Sequence, residues 1–125
     1  MNNLGYNAHQ SCPECMCDMI TSCFYTKIPG VLIVEYPESN TQTSHIIEYN
    51  SDVGTVFFHL RGIIYYGGFH FTSRIISSEG TVWHHDGMEA GGSCQPNGSL
   101  SAITEHGIRQ CRKRTLVLAV YTLDQ

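Results

Sequence analysis

The sequence predicts a mostly β fold built on an antiparallel sheet, and three features of the 125-residue chain indicate it. Runs rich in β-branched and aromatic residues recur along the chain, and Gly, Pro, Asn or Ser residues close most of them. Helical periodicity is almost absent. A sheet with so few helices to cover its faces is unusual for a complete domain, so we expect one part of a larger α+β domain.

The strands are predicted from these runs, in order along the chain. They fall at residues 31–36, 45–49, 55–66, 69–76, 81–85 and 115–123. The first run is apolar on both faces, which is typical of a central strand. The third is one bent strand or two. The fourth and fifth flank a short polar turn and are predicted to form a β-hairpin.

The remaining segments are less regular. The first is polar and rich in Cys, which indicates a loop or a metal-held hairpin. The segment before the last strand is rich in Gly, Ser and Asn, which predicts a long loop with one short helix at most. The chain therefore divides into a Cys-rich segment, a sheet with a hairpin, a long loop and a final strand, at residues 1–27, 28–86, 87–113 and 114–125.

Composition excludes several classes of function. The net charge is −4 and the one basic run is Arg112-Lys113-Arg114, so a nucleic-acid-binding surface is not indicated. No apolar stretch approaches the roughly 18 residues of a membrane span. The first residues lack the basic and apolar regions of a signal peptide, which predicts an intracellular protein, cytoplasmic or nuclear. The six cysteines are then reduced thiols or metal ligands rather than disulfides.

The predicted hairpin places two chemically useful side chains on one face. A three-residue loop at 77–79 would pair His70 with Asp86 and Thr72 with His84. Directly opposed residues share a face, with Cβ atoms roughly 4.5–5.5 Å apart. A carboxylate could then orient an imidazole, as in nucleophilic catalysis. A purely structural hydrogen bond between the same two side chains is the alternative.

Three further side chains on this hairpin have simpler interpretations. Trp83 is predicted to pack in the core of the hairpin. His84 is expected near a cleft or in solvent. A metal site formed by His70, His84 and His85 is disfavoured, because adjacent strand residues point to opposite faces and only His84 could share a face with His70.

The sequence around this hairpin resembles that of a known family. Residues 60–74, LRGIIYYGGFHFTSR, are similar to the His box of ubiquitin-specific proteases, and Trp83-His84-His85-Asp86 stands where the family has its Trp and its acid. Residues 28–36 and 116–121 resemble the strands before and after that box. Cys12-Pro13-Glu14-Cys15 resembles the second Cys pair of the family's zinc-binding fingers. The four features occur in the family's order and cover nearly all of the chain.

The resemblance implies a fold and a chemistry. The fold would be the β-rich palm lobe of a papain-like cysteine protease. His70 would be the general base and Asp86 its orienting partner. Tyr66, Gly68 and Phe69 would border the channel for the Gly-Gly tail of ubiquitin or a ubiquitin-like protein. No cofactor would be needed for the reaction.

This sequence also departs from the family's pattern. The Gly that precedes the family's catalytic His is Phe69 here, and the usual second acid is Gly87. Nothing matches the Cys box or the helical lobe that carries it. We therefore expect a divergent C-terminal part of a deubiquitinase that is inactive alone, requires a separate N-terminal lobe or self-associates through an uncovered apolar face. The alternative is a non-catalytic β-rich module, or vestigial pseudoprotease, that binds ubiquitin-like or other proteins.

The Cys-rich segment has two interpretations. Cys12 and Cys15 are spaced as one half of a tetrahedral zinc site, which would be structural. Cys17 and Cys23 could supply the other two thiolates from the same segment. The alternative is that these cysteines are reduced thiols with no bound metal.

Overall fold

The computed structural model describes residues 3–11, 14, 18–24, 27–37 and 42–124. For residues 3–11, 18–24 and 90 it describes the backbone alone. Within these ranges the chain forms ten strands and one short α-helix. The strands are β1 (Asn3–Ser11), β2 (Asp18–Phe24), β3 (Val31–Glu35), β4 (Ile46–Ser51), β5 (Gly54–Gly67), β6 (His70–Ile76), β7 (Thr81–His85), β8 (Gln95–Ser99), β9 (Gln110–Cys111) and β10 (Arg114–Leu123).

Eight of the strands form one open antiparallel sheet, so the predicted fold class is confirmed at that level. The strands follow the order β3-β10-β5-β6-β7-β8, while β4 pairs with β5 and β9 with β10. The predicted central position of residues 31–36 is wrong, because β3 lies at an edge and pairs with β10. The apolar residues on its two faces lie in different environments. Leu32 and Val34 pack against the core, whereas Val31 and Ile33 are exposed on the opposite face.

The Cys-rich segment contains an antiparallel hairpin of β1 and β2, which forms a sheet of its own. This agrees with one of the two forms predicted for the segment. Cys12, Cys15 and Cys17 lie outside the described residues, and the side chain of Cys23 is not described. The zinc site therefore stays a prediction.

One face of the eight-stranded sheet is the core. Its buried side chains include Phe58, Leu60 and Tyr65 from β5 and Tyr121 from β10. The segment between β8 and β10 covers this face through the helix α1 (Glu105–Arg109), whose Ile108 is buried against the sheet. The predicted long loop therefore has more structure than expected, because it contains strand β8 as well as the short helix.

The other face of the sheet is open. Ile33, Ile75 and Trp83 are all exposed on it, Trp83 to 37%. The prediction that Trp83 packs in a core is therefore wrong. Residues alternate between the two faces along β7, so the buried neighbours of Trp83 are Val82 and His84. Within the described residues, no helix is long and apolar enough to cross a membrane.

Candidate functional site

The central feature of the candidate site is a contact between His70 and Asp86. His70 Nε2 lies 2.6 Å from Asp86 Oδ1. His70 is the first residue of β6, and Asp86 follows the last residue of β7. The Asp86 residue is only 6% exposed, whereas the His70 side chain is about a quarter open to solvent. The arrangement is a buried acceptor that holds a partly accessible imidazole.

The strand register that produces this contact differs from the predicted one. Ser73 pairs with His85 and Arg74 with His84, so the hairpin loop is Ser78 to Gly80 rather than 77–79. The shift is two residues, and because strand side chains repeat with a period of two, it leaves every residue on its predicted face. Asp86 therefore reaches His70 as a diagonal neighbour rather than a directly opposed one.

A two-residue turn fixes the position of His70 from the other side. Gly67 pairs with His70 across the turn, and Gly68 and Phe69 both have positive φ, 60° and 58°. Turns with this backbone match the right-handed twist of the strands that they join. Gly67 is also required by packing, because a Cβ there would lie 3.1 Å from the carbonyl oxygen of Lys113. These two constraints place the end of β5 against the start of β10 and His70 directly across the turn from it.

Asp86 is held by its own chain as well as by His70. Its Oδ1 accepts a hydrogen bond from the backbone N–H of Met88 at 2.9 Å, and its carbonyl oxygen accepts one from Glu89. This is the local Asp turn in which a side chain bonds the backbone two residues on. The Met88 N–H, followed by the His70 hydrogen bond, lowers the pKa of Asp86 below its ordinary value of 3.8. Asp86 is therefore ionised near neutral pH.

The ionised carboxylate decides which tautomer His70 adopts. A carboxylate has no proton to give, so Nε2 of His70 donates and carries the hydrogen. In the neutral ring Nδ1 is then the unprotonated nitrogen. Within the part of the chain with described side chains, Nδ1 has no hydrogen-bond partner. His70 thus presents one free basic nitrogen on a ring that is held in place, which is the arrangement that proton abstraction requires.

The basic run lies beside this site, which sequence reasoning missed. Arg112 and Lys113 form the turn between β9 and β10, again with positive φ. Arg112 makes a 3.0 Å ion pair with Glu89, three residues after Asp86. Arg114 Nε donates to the carbonyl oxygen of Gly67 at 3.2 Å. The sequence did contain a signal for this turn. Only two residues separate Cys111 from Arg114, and a two-residue connection between β-forming runs predicts a hairpin.

A second group of polar side chains lies next to the dyad on the core face. His84 is 1% exposed, so the solvent position, one of the two that were expected for it, is wrong. Burial, followed by the positive charges of Arg112 and Arg74, lowers the pKa of His84 below 6.5. Among the described residues, His84 Nε2 and Thr72 Oγ1 are buried without a hydrogen-bond partner.

Arg74 lies opposite His84 and bonds to neutral acceptors alone within the described residues. It donates to the carbonyl oxygen of Gly107 at 2.6 Å, to Asn97 Oδ1 at 2.7 Å and to the hydroxyl of Tyr65 at 3.0 Å. The network joins β5, β6, β8 and α1. It holds the core face rigid under the candidate site.

The three predicted substrate-binding residues lie together at the end of the β5–β6 hairpin. Phe69 is 97% exposed, and Gly68 is exposed beside it. Tyr66 is exposed on the open face, where its ring centroid lies 4.5 Å from that of Phe71. By strand alternation Tyr66 and Phe71 therefore point to the face opposite that of His70, and Phe69 lies in the turn that immediately precedes His70.

Metal and thiol chemistry can be judged only where side chains are described. There, no group of three His, Cys, Asp or Glu side chains could hold a metal ion. Cys94 is exposed and Cys111 is buried, and both are free thiols. Neither hydrogen-bonds to His70.

A cavity of about 320 Å³ lies away from this site. The residues that line it include His45, His59, Arg61, Ser78, Ser99 and Ser101. None of the predicted site residues lines it.

Comparisons of this chain with known protein families, with curated proteins and with solved structures find no match. The functional interpretation therefore depends on the geometry of the site and on the motifs of the sequence.

Proposed function

We propose that this chain is the β-rich part of a deubiquitinase-like cysteine peptidase, equivalent to the palm lobe of papain-like proteases. In this proposal His70 is the general base and Asp86 is the residue that orients it. The observation that carries the proposal is the 2.6 Å contact between His70 Nε2 and the buried, ionised Asp86. A core histidine of the ordinary kind would have both nitrogens buried, whereas Nδ1 here is free and the ring is partly open.

The proposed reaction uses a cysteine outside the described side chains. His70 Nδ1 takes the thiol proton, and the thiolate attacks the carbonyl carbon of the terminal glycine of the substrate. The amine of the isopeptide bond then leaves with the proton from His70, and a thioester remains. Water, deprotonated by His70, hydrolyses that thioester. Asp86 stabilises the imidazolium that forms in both steps.

The proposed substrate is the Gly-Gly tail of ubiquitin or a ubiquitin-like protein. A tail without side chains can pass close to the exposed turn between β5 and β6, where Phe69 precedes His70 and Tyr66 lies on the opposite face of the sheet. Backbone donors and acceptors of Gly68 and Phe69 lie at the tip of the same turn. Because such substrates are intracellular, we also propose an intracellular location, cytoplasmic or nuclear.

The test is hydrolysis of ubiquitin that carries a fluorogenic amide at its C-terminus. The 125-residue chain and the full-length product of its gene are assayed side by side. We expect activity in the full-length product and none in the short chain. Changing His70→Ala should lower kcat/KM by about 10²–10⁴-fold, the range for loss of a general base.

The matched control is His85→Ala, since His85 lies one residue from Asp86 but on the opposite face of the sheet. It should leave kcat/KM within about twofold, as expected for a surface residue away from the reacting atoms. A folded full-length protein without activity, or one in which His70→Ala has no effect, would contradict the proposal.

The second candidate is a non-catalytic module that binds the same tail. The exposed aromatic cluster of Tyr66, Phe69 and Phe71 favours it, because exposed aromatic rings in one place are typical of binding surfaces. In that case the short chain should bind ubiquitin, and ubiquitin without its last two glycines should bind at least tenfold more weakly. Phe69→Ala should reproduce that loss in a binding titration, while His70→Ala should not. Binding with no hydrolysis in any form would favour this candidate over the first.

A further inference from the structure

The open face of the sheet carries a continuous row of apolar residues. Each residue in the row is the register partner of the next, and register partners share a face. Across the strands β3, β10, β5, β6, β7 and β8 the row reads Ile33, Val120, Gly62, Ile75, Trp83 and Pro96. Ile33 is 63% exposed and Ile75 is 43% exposed. The row crosses the whole width of the sheet on the side away from His70.

Gly62 in the middle of this row has no internal reason to be glycine. Its φ is not positive, so the backbone does not require it, and neither does the bulge at Arg61. A Cβ at Gly62 would lie 3.5 Å from Val120 Cβ, which is an ordinary contact. Glycine weakens the interior of a strand and often marks a place where another chain approaches closely. Here it leaves a notch between Val120 and Ile75.

Ionisable groups on this face lie at its margin. Glu35 is at the end of the edge strand β3, and His85 is the last residue of β7. His59 pairs with Asp124 at 3.4 Å on the far side of the row. An apolar centre with a polar rim is the pattern of protein–protein interfaces.

We propose that a second copy of this chain packs on this face, with Trp83 of each copy over Gly62 of the other. Trp83 and Gly62 are two strands apart, or about 10 Å, on either side of Ile75. A two-fold axis near Ile75 exchanges the two residues. The Trp83 ring of each copy then fills the notch at Gly62 of the other, as an isologous interface requires. The proposal does not rest on the peptidase function, because the dyad lies at the opposite face; of the proposed substrate-binding residues, Tyr66 lies at the end of the open face.

The size of the face suits a dimer. Its width is five strand spacings and its length is nine residue spacings, from Phe57 to Tyr66 along β5, or about 24 Å by 30 Å. That is about 700 Å², close to the roughly 800 Å² per partner that stable complexes bury. No like charges oppose each other at its centre, so a second copy meets no electrostatic penalty there.

Sedimentation equilibrium over 1–100 µM, about the range of moderate affinities, tests the proposal on the intact chain. We expect a monomer–dimer equilibrium for the unchanged sequence. Gly62→Val fills the notch and Trp83→Ala removes the ring, and each should raise the dimer Kd at least tenfold. The matched control is Val53→Glu, which adds a charge at a 92%-exposed residue outside this face and should leave the Kd unchanged.

Thermal unfolding at low concentration separates loss of association from loss of fold. Gly62→Val should unfold at the same temperature as the unchanged monomer or higher, because valine favours strands over glycine. If Gly62→Val fails to fold, Trp83→Ala decides alone, since that side chain is exposed. The proposal is overturned if the unchanged chain stays monomeric at 100 µM, about the upper limit of the assay. It is also overturned if the dimer tolerates Trp83→Ala.

Discussion

The two faces of the sheet differ most clearly at neighbouring residues of β6. Ile76 is 2% exposed in the core, whereas Ile75, one residue earlier, is 43% exposed on the open face. On the core face, polar groups such as Arg74 and the Tyr65 hydroxyl are bonded to neighbours across several strands. The open face is apolar and has few such bonds. The comparison shows that apolar alternation along a strand does not identify which face is buried.

The difference also separates two proposed roles. The His70–Asp86 contact is supported by rigid, hydrogen-bonded core residues beneath it, which fits a site that must keep an imidazole in one orientation. The open face contributes nothing to that contact and is free to associate. Changes on one face should therefore leave the property of the other intact, and the predictions below test that separation.

The largest expected effect is on the free energy of unfolding at Ile76. Ile76→Ala should lower it by about 2–5 kcal/mol, because it leaves a cavity in the core. Ile75→Ala removes the same atoms from the open face and should cost less than about 1 kcal/mol in the monomer. Denaturant unfolding of both variants at sub-micromolar concentration checks the pair. Equal losses would show that the open face is covered in solution even in the monomer.

A second pair of neighbours, Tyr65 and Tyr66, compares the polar chemistry of the two faces. The Tyr65 hydroxyl donates to the carbonyl oxygen of Ile108 at 2.6 Å and accepts from Arg74. Tyr65→Phe leaves both partners without it and should cost about 1–3 kcal/mol in the free energy of unfolding. Tyr66→Phe should cost about zero.

The same pair can be followed by absorbance during an alkaline titration. Burial raises the pKa of Tyr65 to about 12. Tyr65 should therefore ionise about two units later than an ordinary side chain, and that signal should disappear in Tyr65→Phe. Its disappearance in Tyr66→Phe instead would reverse the assignment of the two faces. Burial also raises the pKa of Tyr121, whose signal should stay in both variants.

A smaller effect is expected at the turn that borders the candidate site. Phe69 has φ 58°, a left-handed backbone that costs a residue with a Cβ about 1–2 kcal/mol. Phe69→Gly removes this cost, and we expect a gain of about 1 kcal/mol in the free energy of unfolding after the added chain entropy of glycine. Phe71→Ala, in regular strand, should give a small loss, since it only removes the ring contact with Tyr66. A loss of stability in Phe69→Gly would mean that the ring has packing partners in solution.

The smallest effect at neutral pH, and one that grows on acidification, is expected at His84. Burial lowers its folded-state pKa below 6.5, so the unfolded chain binds the proton first as the pH falls. The contribution is therefore fully present above about pH 6.5 and is lost as the pH falls through and below that value. His84→Leu should reduce the loss of stability between pH 7.5 and 5, a range in which Asp86 stays ionised.

The control for this experiment is His85→Gln on the opposite face, which should keep the unaltered pH dependence. Unfolding in urea at each pH gives the comparison. Identical pH profiles for His84→Leu and the unchanged chain would show that His84 binds its proton equally in the folded and the unfolded chain.

The sequence predicted most strands closely, because their signals are local. Thr81–His85 is predicted and observed with the same bounds. Residues 55–66 were predicted as one bent strand or two, and they belong to one strand, β5, with a bulge at Arg61. The order of the strands in the sheet was harder to predict from the sequence. Strand β3 was placed in the centre because it is apolar on both faces, but an edge strand can have the same pattern when one face is part of an exposed surface.

The candidate site was predicted through a pairing that is wrong by two residues. The contact between His70 and Asp86 survives because a shift of two keeps the face of each side chain. The hydrogen bond from Met88 to Asp86 depends on turn geometry. The position of Arg114 depends on the pairing of β10 with β5, which is distant in sequence. The turns themselves have local signals, but the contact of Arg114 with Gly67 follows from the pairing of β10 with β5, which needed the structure.

The position of β10 between β3 and β5 has a consequence for biosynthesis. Strand β3 is made early but pairs in the described structure with β10, the last of its strands. At a translation rate of about 5–20 residues per second, several seconds pass between the synthesis of β3 and that of β10, and β3 lacks its partner during that time. During this interval Val31 and Ile33 are exposed to other nascent chains. A ribosome-bound chaperone that shields this strand should therefore raise the yield of folded protein more than one added after release.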